Sequence, residues 1–170
     1  AVEDTLRALG YVQRSDLPRN FYETHMHSMP FWHPRERVWV EIHSRLIHEQ
    51  HALADAGFFA PDAILATAQE CEFRGRKCRL MSAEAGLAYT SVRWAEEFDA
   101  ERGLWPLLDL ALMSQASATS LDWQAIGDMA SREPLVATAM HLALGYLART
   151  RLAGFPACAL AKISAHDRVT

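Results

Sequence analysis

The chain changes character at Ser82, and that change limits its fold more than any other feature. Before it, apolar residues come in short stretches, several of them alternating, broken by Pro18, Pro30, Pro34 and Pro61. After it, apolar residues recur every three to four positions over 83–98, 106–114, 123–131 and 134–152. A period of two belongs to half-covered strands and a period near 3.6 to amphipathic helices. The order therefore predicts a small sheet first and a helical bundle second.

In the first part, 3–9 is a helix closed by Gly10. Alternation over 21–28 and again over 38–43 predicts two strands. Residues 29–34 carry two prolines and form a stiff connection between them. An antiparallel pair is the simplest result. Short helices follow over 46–56 and 61–69, with Pro61 in a first turn. Residues 71–80 form a tight hairpin with Arg74-Gly75 at its tip, which sets Cys71 opposite Cys78. In the second part Ser82 and Asp122 are helix caps and Pro134 opens the last long helix. Val136, Met140, Leu144 and Leu147 mark its apolar stripe, and Gly154 and Pro156 end it. The fold class is α+β, a small antiparallel or mixed sheet with flanking helices followed by a C-terminal helical bundle. Its parts are a sheet-containing region over 1–81, a helical region over 82–156 and a loose tail over 157–170.

At 170 residues and 50% hydrophobic, the chain has enough apolar material for one core. Its formal charge of -4 excludes an extended nucleic-acid footprint, which needs clustered Lys and Arg. Arg74, Arg76, Lys77 and Arg79 crowd one turn, as solvated hairpin tips do. No apolar run approaches the roughly 20 residues that span a bilayer, and the first residues do not read as a signal peptide. Three cysteines make no disulfide framework and have no metal-ligand spacing. The expectation is a cytoplasmic protein, in which Cys71 and Cys78 stay reduced although a cross-strand disulfide is conceivable.

Six of the eight histidines lie between His25 and His51. Strand alternation gathers Glu23, His25 and His27 on one face of the first strand, and Trp39, Glu41 and His43 on one face of the second. With His25 opposite Glu41, these groups come within about 5 Å at Cβ. Such a face suits a divalent cation, with Glu41 as a hard oxygen ligand, or a phosphate held by imidazoles. The plainer reading is the polar side of a sheet covered on the other. His48 and His51 share a helical face but lack the His-Glu-x-x-His zinc pattern. Nucleophile elbow, Walker loop and dinucleotide fingerprint are all absent.

The order of several short motifs resembles the uncharacterised bacterial nucleotidyltransferase family of the polymerase-β-like nucleotidyltransferase superfamily. Leu9-Gly10-Tyr11 is similar to its "LGY", and Val38-Trp39-Val40-Glu41-Ile42-His43 to its strand of alternating hydrophobics ending Asp-hydrophobic-His. The Gly75 hairpin leading into Leu80-Met81-Ser82-Ala83-Glu84 resembles the segment that introduces its helical half. Leu107-Leu108-Asp109-Leu110 and Leu121-Asp122-Trp123 resemble its "LLDL" and "DW". The resemblance covers roughly residues 1–156. It implies transfer of a nucleotidyl group from a nucleoside triphosphate such as ATP to a small-molecule or peptide acceptor, with Mg²⁺ held by carboxylates. Glu41 would be a catalytic, metal-binding carboxylate where the family has Asp, and His25, His27 and His43 would contact the nucleotide.

Departures from the family pattern are equally informative. Its Gly-Gly or Gly-Ser turn followed by Asp-x-Asp should precede Leu9-Gly10-Tyr11 and does not. Asp99-Ala100-Glu101 has the acidic spacing without the glycine turn and is no substitute. Tyr89, Thr90 and Arg93 stand where the family's helix carries histidines. The chain is then part of a longer enzyme, a degenerate member, or one completed by a second polypeptide; its start at Ala1 favours the first. Two other readings stand beside transfer. One is a non-catalytic peptide- or protein-binding module, with Phe31, Trp32 and Trp39 near a sheet edge. The other is a transition-metal site of His25, His27 and His43 with Glu23 or Glu41. A short sheet also calls for a cover at its edge, such as a partner chain or a second copy.

Overall fold

The computed structural model describes residues 2–24, 28–48, 50–96, 103–117 and 120–164. The chain divides into two compact units, 1–61 and 62–170. Its elements are short strands and helices in the first unit and mostly long helices in the second, the α+β organisation read from the sequence.

The first unit opens with helix α1 (Val2–Ala8), which Gly10 ends at a φ of 91°. Strand β1 (Val12–Gln13) pairs with β2 (Phe31–His33), and β2 pairs with β3 (Val38–Val40), all antiparallel. This differs from the expected pairing of 21–28 with 38–43. Residues 19–24 are instead a helix, α2 (Arg19–Thr24), begun directly after Pro18. A six-residue stretch fits either period, and the proline's fixed φ favours a helical start. The true partner of β3 is the segment read as a connection. Pro30 and Pro34 bracket β2 without interrupting it, and residues 34–37 turn the chain, with Arg37 at a φ of 55°.

Residues 46–56 do not form the expected helix. The backbone N–H of Gln50 donates to Nδ1 of His48 at 3.1 Å, and that of Leu53 to Nδ1 of His51 at 2.9 Å. Side chains that take backbone donors two residues ahead compete with the helical ladder, and the segment settles into turns. Leu53, Ala56 and Phe59, the last in a 3₁₀ turn (Gly57–Phe59), are buried with Tyr22, Phe31 and Ile47.

The second unit begins with α3 (Pro61–Thr67) and the hairpin of β4 (Gln69–Phe73) and β5 (Arg76–Leu80). Its two-residue turn has positive φ at Arg74 and Gly75, the geometry that suits the twist of a tight hairpin. The bundle follows as α4 (Ala83–Glu96), α5 (Leu104–Ser117), α6 (Trp123–Arg132) and α7 (Pro134–Thr150). Ser82 accepts from the N–H of Ala85, and Asp122 from those of Gln124 and Ala125, so both expected caps form. Val136, Met140, Leu144 and Leu147 are fully buried along α7, which packs on α4. α4 and α5 approach closely at Gly86, where an added Cβ would lie 2.9 Å from the methyl at the end of the flexible Met113 side chain. Ser91 and Ser114 are buried but donate to carbonyls one turn back, leaving no unsatisfied hydroxyl.

Gly154 and Pro156 separate α7 from an eighth helix, α8 (Ala157–Ser164), that the sequence reading did not expect. Ala159 and Ile163 bury its inner side, and it packs on α6 and α7. Among the described residues no helix is long and apolar enough to cross a membrane.

Leu144→Ala should cost about 2–5 kcal/mol, the range for emptying a packed site. Trp105→Ala, at a position 70% exposed, should stay within about 0.5 kcal/mol. Urea unfolding followed by circular dichroism checks both.

Candidate functional site

β3 positions the carboxylate singled out by sequence. Trp32 pairs with Trp39 across the ladder, and their rings lie 5.0 Å apart at 41°. Their neighbours Phe31 and His33 are buried, so β2 turns Phe31 and His33 inward and Trp32 outward. Trp39 is 52% exposed. The alternation of β3, carried one residue on, puts Glu41 on the side of Trp39. Beyond the ladder, Ser28 N–H donates to the Ile42 carbonyl at 2.8 Å and keeps the segment attached.

Glu41 and His43 come together as their spacing implies. His43 Nε2 lies 3.6 Å from Glu41 Oε2, with the two side chains 46% and 48% exposed. An exposed carboxylate beside an imidazole can take a cation, offer a proton acceptor, or, with the imidazole protonated, meet a phosphate oxygen. His25 and His27 lie outside the described residues. Glu23 falls in α2, so the strand alternation expected to aim it beside them does not hold for it. The register that placed His25 opposite Glu41 gives way to Phe31 opposite Val40.

The sheet carrying this pair is fastened to α1 by a histidine the sequence reading left unassigned. His33 is buried, and Glu36 N–H donates to its Nδ1 at 3.0 Å. That leaves the proton on Nε2, which donates to the Leu9 carbonyl at 3.1 Å. Tyr11 meets the same ring edge-on at 4.8 Å. Gly10 is needed twice: its φ is positive, and a Cβ there would approach His33 Nε2 to 3.2 Å. The Leu9-Gly10-Tyr11 motif is thus a seat for His33. Arg7 adds a second tie, bonding Gln13 Oε1 at 2.9 Å while its guanidinium lies 5.7 Å from the centre of the Phe31 ring. A cue in the sequence was Pro34 between two aromatic triplets, Phe31-Trp32-His33 and Val38-Trp39-Val40, which marks a hairpin turn.

A small antiparallel sheet with an exposed carboxylate–imidazole pair, in a chain ending in a helical bundle, is the frame in which the motif order acquires meaning. The family model for uncharacterised nucleotidyltransferases matches residues 1–151, and the chain belongs to that family. No protein of curated function matches the chain, and neither does any solved structure.

The donor set limits what metal these residues could hold. Among the described residues no group of three His, Cys, Asp or Glu side chains is placed to bind an ion. Glu41 offers one carboxylate. A single carboxylate suits a magnesium ion carried in on substrate phosphates and water.

Gly10→Ala should cost about 1–2 kcal/mol from the left-handed backbone alone. His33→Phe should cost about 1–3 kcal/mol by leaving the Leu9 carbonyl and Glu36 N–H unpaired. Both losses are read from urea unfolding followed by tryptophan fluorescence.

Proposed function

We propose that this chain binds a nucleoside triphosphate as its magnesium complex on the outer side of the β1–β3 sheet and serves in nucleotidyl transfer. The acceptor is a small molecule or a peptide nucleophile. Family membership supplies the reaction class, and the Glu41–His43 pair is the observation that carries the location. Glu41 would complete the coordination of the incoming magnesium, which neutralises phosphate charge as it develops. His43 would meet a phosphate oxygen, an orientation its contact with Glu41 helps to hold. His25 and His27 would extend the same phosphate contact. Trp39, half exposed and backed by Trp32, offers a π-face for the base, a kind of contact that tolerates any base.

In the transfer itself, the acceptor oxygen or nitrogen forms a bond to the α-phosphorus. The bond to the bridging oxygen breaks, and pyrophosphate leaves. The family resemblance implies a strand-borne pair of acids beside Glu41, which another segment or a partner chain would supply for turnover. Nucleotide binding is therefore the first activity to test.

The test is thermal unfolding with ATP, CTP, GTP and UTP, each with and without Mg²⁺. A ligand that binds only the folded state raises the midpoint. At a nucleotide concentration 100 times the dissociation constant the stabilisation should be about 2.7 kcal/mol. Glu41→Ala should remove the magnesium-dependent part, and His43→Ala should weaken binding with or without the ion. Equal shifts in wild type and Glu41→Ala would place the nucleotide elsewhere.

A further inference from the structure

The hairpin of the second unit holds a pair of thiols to which the transfer reaction assigns no role. Cys71 and Cys78 are direct partners in the β4–β5 register, and their sulfurs lie 2.9 Å apart. A disulfide bond is about 2.05 Å long, so closing the remaining gap takes only a small adjustment of two side chains. Both cysteines are half-buried, within reach of a small reagent. Glu70 opposes Arg79 and Glu72 opposes Lys77 on one side, while Cys71, Cys78, Phe73 and Leu80 share the other with Gln69 and Arg76. On that second side Phe73 and Leu80 are exposed, so the thiols lie on an open, mixed surface of the hairpin.

We propose that Cys71 and Cys78 form a reversible cross-strand disulfide, an oxidation site that locks the β4–β5 hairpin. The oxidant is a low-molecular-weight disulfide. The hydrogen bond between the two sulfurs, in which either can donate, together with partial burial holds the Cys71 thiol above the usual range. Either cysteine can attack first; when Cys78 does, its thiolate forms a bond to one sulfur of the small disulfide, whose S–S bond breaks and releases one small thiolate. Cys71 then gives up its proton and attacks the Cys78 sulfur of the mixed disulfide. The protein disulfide forms and the second small thiol leaves. Two protein thiols have been oxidised and one small disulfide has been reduced to two thiols.

The closed ring is short and the strands already lie in register. The lock therefore acts locally: it prevents the hairpin from opening and leaves the helices behind it undisturbed. Reduction by excess small thiol reverses it through the same mixed disulfide.

The test uses the full native chain in redox buffers of oxidised and reduced glutathione, quenched with acid and alkylated. Two of the three cysteines should become protected together, with loss of two hydrogens in mass and a single tryptic species joining Cys71 to Cys78. Backbone amides of 69–80 should then exchange with solvent more than tenfold more slowly than in the reduced protein. Cys71→Ser should instead stop at a mixed disulfide on Cys78, with circular dichroism confirming that the variant is folded. Two native thiols that stay free across the whole range, separate glutathione adducts on each, or a bridge from either to Cys158 would each overturn the proposal. So would a disulfide that forms without slowing exchange in the hairpin.

Discussion

A neutral imidazole with both nitrogens engaged holds the first unit's sheet to the helix that precedes it. His33 receives a proton-donor bond from the backbone of Glu36 in the hairpin turn and donates one to the backbone of Leu9 at the end of α1. Because each bond goes to main chain, the ring fixes where α1 stops and how β2 meets its turn. The glycine that stops the helix also leaves space for the ring. With His33 and Phe31 turned inward, strand alternation sends Trp32 and Trp39 outward and carries Glu41 out after them. The exposed position of the candidate carboxylate is thus a consequence of which neighbour is buried.

The same logic explains the uneven fate of the histidines. The sequence favoured His25, His27 and His43, and the structure divides the described histidines by their use of backbone groups. His33 is a structural tie. His48 and His51 accept N–H groups two residues ahead and hold a run of turns where the apolar spacing suggested a helix. His43 stands beside Glu41 with its side chain half exposed. Histidine density by itself therefore does not mark a site; what each ring touches does.

Legibility followed the length and closure of each element. The hairpin at Arg74-Gly75 was readable because a two-residue turn fixes its register, so Cys71 could be set against Cys78 in advance. The bundle was readable because Ser82, Asp122 and Pro134 announce helix starts and α7 repeats its apolar stripe over several turns. In the first unit the strands are two or three residues long, too short for alternation to tell strand from helix. Alternation over 21–28 was outweighed by the start after Pro18, and β2 was hidden by prolines that turned out to lie at its ends. Helix α8 was missed because, among its described side chains, Ala159 and Ile163, one turn apart, are the buried ones, too few to read as a stripe. The pairing of Glu41 with His43 survived the change of strand partner, since it depends on their own segment and not on what lies opposite.

Family membership gives a reaction class, and the outer side of the first unit's sheet is the proposed place for the nucleotide. The five tryptophans make that claim open to one direct measurement, because only Trp32 and Trp39 belong to the proposed face. The indole N–H resonances should be followed by NMR as a magnesium–nucleotide complex is titrated into the protein. The account predicts saturable shifts of the Trp32 and Trp39 signals, with Trp94, Trp105 and Trp123 unmoved. Saturable shifts confined to the three helical tryptophans, or none at any concentration, would contradict it.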